Sequence, residues 1–159
     1  MNIADHLPPT TTRVVRHTAA QHNAAIRQRT DAEVARLERA DPGELQARLE
    51  DLDREWDIER VLQTNASVIV LAGLALGMGI DRRFLLLPGA VFAFLAQHAV
   101  QGWCPPIPVF RALGVRTMRE IERERYAIKL LRGDFDRVPT QNAATVGERV
   151  HAALAAVNA

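Results

Sequence analysis

The chain has 159 residues, enough for one ordinary domain, with a formal charge of +1 that supplies no field for nucleic acid or an acidic ligand. One cysteine, Cys104, excludes an intrachain disulfide and an all-cysteine metal site. The mean hydropathy of −0.09 is that of a soluble protein, yet it averages over unlike parts: from Ala66 to Val100 the charges are Asp81, Arg82 and Arg83, and both flanks are densely charged.

The start, MNIADHLPPTTTRVV, lacks the basic flank and apolar core of a secretory signal, so membrane insertion is expected through an internal segment. Pro8-Pro9 and the threonines after them predict irregular chain over the first ten residues or so. Val14, Val15 and Ile26 form a weak helical stripe. Thr30 with Glu33 has capping-box spacing and predicts a helix beginning near Asp31. At Asp41-Pro42-Gly43-Glu44, Asp41 is expected to cap, Pro42 suits the first turn, and Glu44 is placed to reach back. Leu45, Leu49, Leu52 and Trp56 then make one apolar stripe, read as a packing face for a partner helix. The rest of that helix is too acidic to lie on a bilayer surface.

ASVIVLAGLALGMGI, residues 66–80, reaches roughly 22 Å as a helix, short of a hydrocarbon core of about 30 Å unless residues 61–65 are added. FLLLPGAVFAFLAQHAVQGW, residues 84–103, has the length of a spanning helix. Joined by a short turn, the two predict an antiparallel membrane hairpin, because the charged remainder offers only narrow apolar stripes to cover a buried soluble one. Pro105, Pro106 and Pro108 are expected to prevent helix continuation. Thr117 with Glu120 predicts another helix, with Met118, Ile121, Ile128 and Leu131 near one face and Gly133 at its C-terminus. The Ala-rich tail from Thr140 predicts a short final helix using Val150, Leu154 and Val157.

The expected architecture is therefore all-α: a two-helix transmembrane hairpin, 61–104, flanked by amphipathic cytoplasmic helical regions, 1–60 and 105–159. Arg48, Arg54 and Arg60 before the hairpin, with Arg111, Arg116 and Arg119 after it, outnumber Arg82 and Arg83 in the turn. By the positive-inside rule both termini are cytoplasmic. Gly73 and Gly77 form a GxxxG patch, and Gly89 with Ala93 a similar small-residue face. Such faces let helix backbones approach closely, inside the hairpin or between two copies of the chain. Trp103 suits an interfacial anchor. His98, near the end of the second span, and Cys104 are the candidates for chemistry, as an acceptor thiol with a neighbouring histidine. The simpler alternative for His98, with Gln97 and Gln101, is an interfacial side chain reaching headgroups or a neighbouring helix. There is no phosphate loop, GxSxG, HExxH or CxxC, and no cofactor is expected.

The stretch from TNASVIVLAGLALG through DRRFLLLPGAVFAFLAQHAVQGWCPPIPVFRALGVRT resembles the YgaP-like transmembrane domain family of bacterial inner-membrane proteins. That family pairs two short spans with a Gly-x-Cys-Pro segment, matched by Gly102, Cys104 and Pro105, and a Leu-Gly-x-x-Thr, matched by Leu113, Gly114 and Thr117. The intervening insert, Pro106 to Ala112, is longer than usual. The resemblance covers roughly residues 61–117. It implies a bacterial inner-membrane protein. The partners expected are the lipid bilayer and, through the GxxxG face, a second copy or a larger membrane complex, with no nucleic acid. Some family members carry a fused rhodanese domain and thereby imply sulfur transfer; residues 1–159 contain no such domain. The function expected is a non-enzymatic membrane anchor or accessory protein, with a sulfur-transfer or redox role through Cys104 as the alternative.

Overall fold

The computed structural model describes residues 9, 11–140 and 143–158. The expectation of irregular chain over the first ten residues lies, Pro9 aside, outside them. The described residues are helical and contain no strand: α1 Arg13–Arg16, α2 Ala20–Leu37, α3 Pro42–Arg54, α4 Ile58–Gly79, a 3₁₀ turn Arg82–Leu85, α5 Leu86–Gln101, α6 Ile107–Ala112, α7 Met118–Arg132 and α8 Val146–Asn158. The chain divides into two compact units. One is Met1–Arg27 with Trp56–Arg119, the other Gln28–Glu55 with Glu120–Ala159. The expected boundaries at 60 and 104 follow depth in a bilayer, whereas these units follow packing and interleave along the chain.

The second unit packs Leu37, Leu45, Leu49 and Leu52 against Ile121 and Ile128. Asp41 caps α3 as its sequence predicts, accepting from the Gly43 and Glu44 amides at 2.8 and 3.0 Å. Glu44 does not reach back but pairs with Arg36. Three further expectations fail here for identifiable reasons. Thr30 opens no helix: it is buried inside α2, where an uninterrupted helical ladder outweighs a local cap. Trp56 leaves the leucine stripe because α3 ends at Arg54 and Glu55 turns extended; its ring instead sits under the Arg60 guanidinium at 4.2 Å. On α7, Met118 and Leu131 face outward, and the buried line is Ile121, Glu124 and Ile128. Glu124 is fully buried and accepts from Arg48 at 2.7 Å, an ion pair that satisfies a charge in the core.

Gly133 adopts φ +81° and ends α7, as expected of a residue without Cβ. Behind it, α8 opens on a reciprocal cap that was not foreseen. The Thr145 amide donates to Glu148 at 2.8 Å, and the Glu148 amide reaches the Thr145 hydroxyl at 3.4 Å. Val150, Leu154 and Val157 are exposed, contrary to expectation, and Ala156 is the buried residue of α8. The Lys129 ammonium, buried, donates to the Val157 carbonyl at 2.7 Å, which holds the last turn of α8 by its backbone.

In the first unit, α4 is capped by Asp57, which accepts from the Arg60 amide at 3.0 Å. Its 22 residues extend about 33 Å. The second apolar segment starts as a 3₁₀ turn rather than as α-helix at Phe84. The larger rise of a 3₁₀ turn carries the 20 residues Arg82–Gln101 over about 32 Å. What stops α5 is Gly102 at φ +82°, packed so closely on Arg13 that a Cβ would lie 2.5 Å from that residue's own Cβ. The helix does not continue through the prolines, as expected, and Pro106 and Pro108 open the next one, α6, where a missing N–H is tolerated. Arg111 on α6 is buried and donates to the Val115 carbonyl at 2.9 Å and to Asn23 on α2 at 2.8 Å. Arg116, also buried, offers its carbonyl to the Ile58 amide at 2.8 Å. Of the six arginines counted for orientation, Arg54, Arg60 and Arg119 are exposed.

Candidate functional site

The small residues sort into two groups. A Cβ on Gly73 would lie 2.7 Å from Pro88 Cδ, and one on Gly77 would lie 2.5 Å from Leu85 Cδ2. Both glycines are therefore spent on contact with the following helical segment of the same chain. Nothing lies within 4 Å of a Cβ at Gly89, and Ala93 is exposed. This second face points away from the protein.

At the other end of α4 the contact with α5 is polar. His98 is 5% exposed, and its Nε2 meets Glu59 Oε2 at 2.7 Å. The second carboxylate oxygen of Glu59 accepts from Arg13 at 3.0 Å. One carboxylate thus ties α1, α4 and α5 together. The His98 Nδ1 is buried without a partner among the described residues. Sequence reasoning found His98 but missed Glu59 and Arg13. The pair joins positions 39 apart, and Glu59 reads along the chain as one of many acids on a solvated helix.

Cys104 is 5% exposed and packs with Val14, Ile58, Leu62 and Ile107. A thiol reacts as its thiolate in electropositive, partly exposed surroundings, and this one sits among apolar side chains. The hydrogen bond of His98 goes to Glu59, so the acceptor-thiol pairing has no contact to support it. Trp103 is half-buried, its ring edge-on to Phe94 at 6.5 Å between centroids, so part of the ring remains exposed at the end of α5. Among the described residues, no group of three His, Cys, Asp or Glu side chains is placed to hold a metal.

Between the glycine contacts and the Glu59–His98 clasp, α4 and α5 leave a cavity of about 390 Å³, open on one side. Ala66 and Ile69 on α4 and Val91 and Leu95 on α5 form its walls, with Cys104, Pro105 and Pro106 closing one end. Asn65 is the one amide in this lining. Comparison of the chain with protein-family models, curated proteins and solved structures finds no match.

Proposed function

We propose that the chain is an integral protein of the bacterial inner membrane, anchored by α4 and α5 as a transmembrane hairpin, and that it acts as an anchor or accessory subunit rather than as an enzyme. One observation carries this reading. Val68, Leu71, Met78, Leu86 and Phe92 are 60–80% exposed on two long adjacent helices. Only 22% and 11% of the most apolar stretches of these segments is buried. A soluble core helix would hide such side chains, and contiguous apolar surface of this extent marks a membrane or protein contact. The backbone of both segments is helical, the state that satisfies its own polar groups in hydrocarbon.

Kinship of residues 61–117 with YgaP-like transmembrane domains is part of the same proposal. Both termini are cytoplasmic in this proposal, with Asp81-Arg82-Arg83 outside. The face left for a second copy is Gly89 and Ala93. The redox alternative through Cys104 gains no support from a buried thiol among apolar neighbours.

The test has two parts. The full chain stays with membranes through an alkaline carbonate wash. A Cys104→Ala variant carrying Arg82→Cys reacts in intact cells, after outer-membrane permeabilisation, with a maleimide that cannot cross the inner membrane. Release of the protein by carbonate would refute the span. Retention with labelling only after inner-membrane lysis would refute the orientation.

A further inference from the structure

Thr12 stands at the N-cap position of α1, yet its side chain makes no capping hydrogen bond. Its Oγ1, the Nε of Arg13 and the Nδ1 of His98 are all buried without a partner among the described residues. Two of these atoms belong to the start of α1. The third belongs to the histidine that shares the Glu59 carboxylate with Arg13. Each such atom gives up water and gains no bond in return, so together they weigh against the docked position of α1. Little opposes them. Arg13 and Glu59 are 20% and 35% exposed, a setting in which an ion pair contributes weakly. Val14, buried, joins Ile58, Leu62, Cys104 and Ile107 and is the apolar anchor of α1. The far end of α1 is held differently: Asn23 on α2 donates to the Val15 carbonyl at 2.9 Å and to the Thr18 carbonyl at 3.3 Å.

From this imbalance we infer that α1 is a releasable strap over Cys104. Thr12, Arg13 and Val14 swing away together, and the hinge is the stretch from Val15 to Thr18 that Asn23 keeps in place. Opening returns the three unpartnered atoms to water, withdraws Val14 from its cluster and uncovers the thiol. The reactivity of Cys104 is then set by the population of the open strap, a local opening well below the cost of unfolding the chain. The inference concerns packing inside the first unit, so it stands or falls separately from the membrane reading.

The experiment follows the rate at which Cys104, the chain's one thiol, reacts with a water-soluble aromatic disulfide, using the full chain in a mild nonionic detergent at fixed pH. The parent is expected to react far more slowly than the same chain unfolded in urea. Thr12→Val keeps the shape and removes an unpartnered buried hydroxyl, so it slows the reaction by about fivefold or more. Val14→Ala trims the apolar anchor by two carbons and speeds the reaction about tenfold. The opposite signs are the signature of the strap, because an element held by ordinary packing would loosen with either substitution. Arg48→Ala weakens the second unit and should leave the rate unchanged. A parent thiol as reactive as the unfolded one overturns the strap, and so does a rate that Thr12→Val leaves unchanged or raises. A rate indifferent to Val14→Ala also overturns it, since the thiol is then reached through the cavity that it lines. An increase in Arg48→Ala equal to that in Val14→Ala overturns it as well, because exposure then comes from unfolding of the whole chain.

Discussion

At the scale of single residues, the charged side chains divide into those that solvate the surface and those used as internal ties, and burial decides which. Glu124 is held in the core of the second unit by Arg48, which is itself partly exposed. Removing the cation leaves a carboxylate without its guanidinium in a low-dielectric site. Arg48→Ala is therefore expected to cost about 1.5–3 kcal/mol, the worth of a hydrogen bond to a charged group, measurable as a fall in the denaturant midpoint. A change within about 0.5 kcal/mol, typical of surface substitutions, would mean that the pair is not a core element. Asp134 follows the same logic beside the C-terminus of α7. Arg132 donates to its two oxygens at 2.7 and 2.6 Å and holds the carboxyl below its ordinary range. A carboxyl whose folded pKa is depressed contributes stability above its unfolded value and loses that contribution as pH falls through the folded one. Thermal midpoints should therefore decline for the native chain as pH drops below about 4. In Asp134→Asn the decline over that interval should be shallower, and parallel pH profiles would rule out this tie as a source of acid sensitivity.

At the scale of elements, the contact of α4 with α5 depends on missing side chains at one end and on a shared carboxylate at the other. Gly77→Leu drives a side chain into Leu85, where even a Cβ is too close. Overpacking of this kind costs about 1–3 kcal/mol. Gly89→Leu meets open space and should leave thermal stability in detergent within about 0.5 kcal/mol of the parent. Equal losses from the two would mean that the outward face is packed as well, as in a dimer through Gly89 and Ala93. The contrast explains why the glycine pattern alone left two options standing. GxxxG states that a helix comes close without stating which helix. The stripe on α8 failed for a related reason: periodicity marks a face, and Val150, Leu154 and Val157 mark one that the rest of the second unit does not cover.

At the scale of the whole molecule, the first unit presents bare apolar helices while the second closes its own leucine and isoleucine core. The half-buried Trp103 gives the membrane reading a depth gauge. In Trp56→Phe it is the remaining tryptophan, and lipids brominated near the headgroup end of the acyl chain should quench it more than lipids brominated near the methyl end. The opposite order would place the end of α5 in the membrane interior and refute the expected span.

The helical class, the two apolar segments, the Asp41 cap and the Gly133 stop were legible in the chain, because each depends on neighbours within a few residues or on the composition of one stretch. Tertiary structure alone decided that Glu59 answers His98, that Arg111 is buried against Asn23, that Gly102 rather than the prolines ends α5, and that a recess lies beside Ala66. Those outcomes rest on contacts between positions tens of residues apart. A linear pattern records which side chains are available for such contacts but not which of them the packed helices bring within reach.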